Sequence, residues 1–144
     1  MPTSTAAWGS FLHQGQICMT TGRHLVHERI AEEFVGRLAE HADALPVGDP
    51  ATEQVAIGPV IDTGQRDNIH ALVTASVDAG ARLAAGGTYE ELFYQPTVLT
   101  DVTPQTPAWV QEVSVPSRPL CASLMRRKSS SSPLIAPTVW CWGS

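Results

Sequence analysis

Lysine is almost missing from this chain of 144 residues: Lys128 is the only one, beside two tyrosines and three cysteines. The cysteines, Cys18, Cys121 and Cys141, are odd in number and have no pairing rhythm, which excludes a disulfide framework. Met1 to Trp8 shows no basic stretch followed by an apolar core, so no secretory signal is visible and a reducing, cytoplasmic location is expected. No apolar run approaches the ~20 residues a membrane-spanning helix needs, so no membrane is expected as a partner. Acidic residues are missing from both ends. All fourteen lie between Glu28 and Glu112 with five of the nine basic ones, a net of −9 over residues 1–113. Residues 114–144 hold the other four basic residues and eight serines, a net of +4. Phosphate binding needs clustered Lys and Arg, so the acidic body excludes nucleic acid as a general partner. The triplet Arg126-Arg127-Lys128 is too short to reverse this.

What is present reads as helices alternating with short apolar strands. Ala6 to Gln14 suits a short helix with Ala7 and Phe11 on one side, ended by Gly15. His24-Leu25-Val26 is a brief strand candidate. From Glu28 to Leu45 the residues Ile30, Phe34, Val35, Leu38, Ala42 and Leu45 recur at helical spacing. Glu28, Glu32 and Glu33 favour the N-terminal half of that helix and His41 its C-terminal end. Pro46, Gly48 and Asp49-Pro50 stop it. Asp62-Thr63-Gly64-Gln65 is a variant capping box opening a second helix with Ile69, Leu72, Val73 and Val77 inward, ending at Gly80. Arg82 to Ala84, closed by Gly86-Gly87, and Thr97-Val98-Leu99 are further strands. The expected class is α/β. A parallel sheet needs helices on both faces, and few are on offer, which is the first hint of a partial domain.

Gly15-Gln16-Ile17-Cys18 places a thiol just after a helix-ending glycine. A cysteine becomes a nucleophile when its pKa is lowered or a base is near, and when backbone amides can hold an oxyanion. A lone cysteine is more often a small buried residue. The wider stretch shifts that balance. Phe11-Leu12-His13-Gln14-Gly15-Gln16-Ile17-Cys18, with Arg23 five residues on and then Leu25-Val26, resembles the active-site signature of the aldehyde dehydrogenase superfamily. Leu45 to Pro50, Gly58-Pro59-Val60-Ile61, Gly80 to Gly87 and Pro96 to Leu99 resemble later segments of that family in order and spacing. The likeness covers roughly residues 5–113. Ala7 to Arg23 and Leu92 to Thr97 look most like the branch acting on benzaldehyde or vanillin.

The resemblance implies a partial catalytic domain over residues 1–113 and an irregular or disordered tail over 114–144. It implies Cys18 as the catalytic nucleophile, attacking an aldehyde and passing through a thiohemiacetal and a thioester to the acid. It implies NAD or NADP as hydride acceptor and Glu112 as the residue that contacts the nicotinamide ribose. No metal is implied. The family's base glutamate, in a Glu-Leu-Gly-Gly-Lys segment, its oxyanion asparagine and its dinucleotide-binding Gly motif would all precede Met1. The expectation is therefore a fragment that is inactive alone and does not retain the homo-oligomers of full-length members.

Glu112-Val113 matches the head of the family motif Glu-Ile/Val-Phe-Gly-Pro-Val, yet Ser114-Val115-Pro116-Ser117-Arg118-Pro119 follows. Codons TCG-GTC-CCG-TCG-CGC-CCN encode those six residues, and one T restored in front gives Phe-Gly-Pro-Val-Ala-Pro. A frameshift after Val113 is the expectation. His24 and His27 read as solvated histidines rather than half a metal site, and Glu90-Glu91 as a solvated turn. Ser129 to Ser132 are explained by a flexible out-of-frame tail, and Trp140 and Trp142, two aromatics without a helical face, are weak evidence for an anchor to a partner or membrane surface. Two other readings stand beside the enzyme fragment: an inert pseudogene product packing on a full-length relative, and a cofactor-free cysteine esterase.

Overall fold

The computed structural model describes residues 2–17 and 19–111, together with the backbone of 121–127. The elements are α1 (Pro2–Phe11), a 3-10 turn (Leu12–Gly15), β1 (Arg23–His27), α2 (Glu28–Asp43) and α3 (Thr63–Asp78). They continue as β2 (Arg82–Ala85), β3 (Tyr89–Glu90), β4 (Phe93–Tyr94), β5 (Thr97–Thr100), the short α4 (Pro107–Val110) and β6 (Cys121–Arg127). Helices and strands alternate, as the α/β expectation requires.

Helix α2 forms for the reason its spacing suggests: Val35, Leu38 and Ala42 turn one stripe into the core. The stripe is shifted at its start. Ala31 is buried with Val26 and Val35, whereas Ile30 is 54% exposed. Helix α3 begins where the capping pattern places it, with the Asp62 carboxylate accepting from the Gln65 N–H at 2.7 Å. The reciprocal half of that box is not made: the Gln65 side chain is buried, and its Nε2 has no hydrogen-bond partner among the described residues. Ser76 takes the buried position expected of Val77, because its hydroxyl can bond back to the Leu72 carbonyl at 2.7 Å and Val77 is left partly exposed.

The main sheet has the order β1-β6-β5-β2. β6 runs parallel to both β1 and β5, and β2 closes the other edge antiparallel to β5. β5 is buried along its whole length, as an interior strand covered on both faces must be. Leu38 and Ala42 of α2, Ile69 and Val73 of α3, and Val98 and Leu99 of β5 share one core with Ala7 and Phe11 of α1. Burying a leucine as completely as Leu38 is worth about 1.5–3 kcal/mol. A small hairpin, β3 with β4, pairs Tyr89 with Tyr94 and turns at Glu91-Leu92, so Glu90 ends a strand and Glu91 begins the turn, both exposed.

One segment departs from the expectation of an irregular tail. Cys121–Arg127 is a strand, inserted between β1 and β5. The physical reason lies in the backbone: the facing sides of β1 and β5 each carry N–H and C=O groups that need partners, and any extended chain can supply them. Residues 112–120 and 128–144, including Ser129 to Ser132, Trp140 and Trp142, lie outside the described residues.

Candidate active site

Cys18 and Glu112, the two residues singled out from sequence, both lie outside the described residues. The chain that carries each of them is described up to its immediate neighbours. Helix α1 is broken rather than continued to Gln14. His13 (φ 49°), Gln14 (φ 56°) and Gly15 (φ 69°) take the left-handed conformation in succession. The first two are not glycine, and such conformations cost about 1–2 kcal/mol each. Hydrogen bonds over-determine the kink. Gln16 N–H donates to the His13 carbonyl at 2.9 Å. The Gln14 amide, oriented by its hydrogen-bond partners, donates to the same carbonyl at 2.9 Å and accepts from Gly58 N–H at 2.8 Å. Strain of this kind collects where a loop is held for a purpose. It also joins the Gly15-Gln16-Ile17 stretch to Gly58-Pro59, two motifs more than forty residues apart in sequence.

Beyond Cys18 the loop is fastened again. Thr20 N–H donates to the Ile17 carbonyl at 3.1 Å and Thr21 N–H to the Gly9 carbonyl at 2.8 Å. The Ser10 hydroxyl donates to the Thr21 carbonyl at 3.0 Å and lies 2.8 Å from His24 Nε2. Its single proton is spent on the carbonyl, so His24 Nε2 carries the hydrogen of the second bond. Ser10 and His24 are therefore a structural clasp and not a nucleophile with its base.

His24 is not the solvated residue expected. It packs on Phe34, ring centroids 5.8 Å apart, and burial lowers its pKa from the ordinary 6.5. The unfolded chain then takes up a proton before the folded one does. Stability is full above pH 6.5 and falls as pH drops through the lower folded value. Urea titrations at descending pH should show that loss, and His24→Gln, which keeps a donor for Ser10 but cannot ionise, should flatten it. An unchanged slope would remove His24 as its source. His27 is exposed and caps α2, its Nδ1 accepting from Arg29 N–H at 3.2 Å. Among the described residues no cluster of His, Cys, Asp or Glu could hold a metal ion.

The segment that leads to Glu112 is held from α3 and from β1. Ala108 N–H donates to Ser76 Oγ at 3.0 Å. Thr106, buried, receives Trp109 N–H at 2.8 Å on its carbonyl. Arg23, at the start of β1, donates from Nη2 to the Trp109 carbonyl at 2.6 Å, and its guanidinium lies over the Trp109 ring at 4.8 Å. The contact spans 86 residues, and no periodicity in the sequence signals it. It brings together the stretches that precede Glu112 and follow Cys18.

A dinucleotide needs a helix N-terminus left open behind a glycine-rich turn. The long helices described here do not fit. α2 is capped by the His27 ring directly after β1, with no glycine between. α3 is capped by the Asp62 carboxylate, which would repel a pyrophosphate. Neither α2 nor α3 thus presents an open N-terminus as a cradle for NAD(P).

The model of the aldehyde dehydrogenase family matches residues 3–121. Vanillin dehydrogenase from Amycolatopsis sp. is 66% identical over 117 residues, 81% of this chain and 24% of the relative. Benzaldehyde dehydrogenase [NAD(+)] from Pseudomonas putida is 48% identical over 117 residues, with the same shares covered. The crystal structure of a salicylaldehyde dehydrogenase from Pseudomonas putida G7, complexed with salicylaldehyde, superimposes with a TM-score of 0.79 at 35% identity, over 88% of this chain and 25% of that one. The chain spans about a quarter of the length of these relatives.

Proposed function

Since the chain belongs to the aldehyde dehydrogenase family, we propose that it is a piece of the catalytic domain of an NAD(P)-dependent dehydrogenase for aromatic aldehydes, with Cys18 as nucleophile and Glu112 as the ribose contact. The observation that carries this is the reach of the family match, residues 3–121, which includes both. The aromatic substrate class is supported by the names of the vanillin and benzaldehyde dehydrogenases it resembles.

The chemistry assigned to this chain is that of the thiol. Cys18 thiolate adds to the aldehyde carbon, a C–S bond forms, and the carbonyl π pair moves onto oxygen as an alkoxide. At the thioester stage water adds to the acyl carbon and the C–S bond breaks, releasing the acid and the thiolate. A soft sulfur suits both steps, because it adds readily and leaves readily. The intervening two-electron oxidation belongs to NAD(P)+, for which neither α2 nor α3 offers a cradle, so it is not assigned to this chain. Glu28, the nearest carboxylate after Cys18 in sequence, opens α2 beyond the whole length of β1, a rise of about 16 Å.

The reading includes an out-of-frame span from Ser114 onward, a cytoplasmic location and no retained homo-oligomer. Among the described residues no helix is long and apolar enough to cross a membrane. Purified chain mixed with NAD+ and benzaldehyde should produce no reduced cofactor. Sustained turnover would overturn the assignment of inactivity.

A further inference from the structure

We propose that the turn Leu12–Gly15 is a two-state hinge, kinked while the Gln14 amide is latched to Gly58 and released into a continuation of α1 when that latch opens. The proposal uses only described residues and does not rest on the roles assigned to Cys18 and Glu112. It starts from a conflict within the turn. The sequence from Ala6 to Gln14 suits one helix, and the backbone stays right-handed as far as Phe11 (φ −106°, ψ −5°). His13 (φ 49°) and Gln14 (φ 56°) then leave that conformation without being glycine. A strained pair of this kind persists only where something around it holds it.

One side chain does the holding. The Gln14 amide donates to the His13 carbonyl at 2.9 Å and accepts from Gly58 N–H at 2.8 Å. Its far anchor is fixed: Val60 N–H donates to the Leu92 carbonyl at 2.9 Å, Gly48 N–H to the Ile57 carbonyl at 3.1 Å, and Ile57 is buried. Gly58 is suited to the contact, since a Cβ there would lie 2.9 Å from the Gln14 amide. Two left-handed residues oppose the kink and two neutral hydrogen bonds favour it, and these effects are of similar size. Gln16 N–H, which bonds the His13 carbonyl at 2.9 Å, loses nothing on release, because a continued helix offers it the Leu12 carbonyl. The two states are therefore close in free energy, as a hinge requires.

The released state also fits the chain. A helix continued to Gly15 would set that residue about 9 Å beyond Gly9 along the axis. The chain from Gly15 to Thr21 can span about 20 Å, so Thr21 N–H keeps the Gly9 carbonyl that it holds at 2.8 Å. What changes is the direction in which Gln16 and Ile17 leave the helix. Their placement thus depends on a segment more than forty residues further along the chain.

The test is NMR on the full chain. It reads the HN–Hα coupling of His13, which separates left-handed from right-handed backbone, and helical contacts three residues apart across residues 10–16. Gln14→Ala removes both hydrogen bonds of the latch and should shift the ratio of the two states about ten-fold toward the continued helix. Gly58→Ala acts on the latch from its other side and should shift the ratio the same way. Adding His13→Gly to Gly58→Ala should restore the kink, because glycine takes the left-handed conformation freely and weakens a helix. The α2 and α3 amides report whether each variant is folded. His13→Gly alone, which disrupts neither partner of the latch, should slow exchange of the Gly58 amide several-fold. A His13 coupling unmoved by both Gln14→Ala and Gly58→Ala would overturn the hinge. So would residues 12–16 turning irregular instead of helical in those variants, or a Gly58 amide indifferent to His13→Gly.

Discussion

An aromatic active ester such as p-nitrophenyl benzoate should acylate the chain once, on Cys18, and then stop. The thiolate attacks the ester carbonyl, nitrophenolate leaves, and a thioester remains. Its hydrolysis needs a base to activate water, and the chain carries no carboxylate before Glu28, which opens α2. The Ser10 proton is committed to the Thr21 carbonyl and the His24 Nε2 hydrogen to Ser10, so Ser10 and His24 are held by each other in the clasp. The expected record is a burst of nitrophenolate with no steady phase, and one benzoyl group by intact mass. Cys18→Ala should reduce the burst about a hundred-fold or more. Sustained release that depends on Cys18 would establish the esterase reading in place of the dehydrogenase fragment. Acyl groups spread evenly over Cys18, Cys121 and Cys141 would remove Cys18 from any catalytic role.

The second large effect concerns folding. Gly86 ends the run from β2 with φ +71°, and a Cβ there would collide with the main-chain carbonyl of Pro96 and lie 2.7 Å from Thr97 Oγ1. That hydroxyl cannot swing away freely, because it receives the Gly87 N–H at 2.9 Å and itself donates to the Gln95 carbonyl at 2.8 Å. The Pro96 backbone cannot give either, since Thr97 begins the fully buried β5. Gly86→Ala should therefore cost about 3 kcal/mol, combining left-handed strain with overpacking. A domain of this size has only about 5–15 kcal/mol in total, so the loss should appear as a large fall in the urea midpoint. Gly80→Ala is the matched control. Gly80 is also left-handed, φ +98°, but has open space where the Cβ would go. It should lose only the strain, about 1–2 kcal/mol. Equal losses at the two positions would show that the Pro96 contact is not what selects glycine.

Local features were legible in the sequence, and long-range ones were not. The Asp62 cap, the Gly86-Gly87 turn and the extent of α2 each depend on residues within a few positions of one another, so spacing and turn chemistry reveal them. The face of α2 was misread by one residue at its start. Periodicity admits either Ile30 or Ala31, and the close approach of Val26 and Val35 leaves room for the smaller. The left-handed run at His13 and Gln14 has no sequence signal, since Gln is not a residue that favours that conformation and a single His does not announce it. Their geometry is enforced by Gly58, far along the chain. Burial of His24 by Phe34 is likewise a tertiary fact. The motif around Cys18 was readable as a family signature, but the Arg23–Trp109 contact, across 86 residues, was not.

The placement of β6 has a consequence for how the chain is made. β1 is finished at His27, but the strand that pairs with it begins at Cys121, roughly ninety residues later. At synthesis rates of about 5–20 residues per second, that interval lasts roughly 5–20 s. Throughout it α2, α3 and the β2–β5 pair can form, while β1 waits beside an empty position. Pairings this distant are slow to find even in a complete chain, because loop closure comes before any gain in contacts. Among the described residues, the last strand to leave the ribosome is thus the one that joins the two halves of the sheet. Until it arrives, β1 and the facing edge of β5 are both open to pairing with another chain.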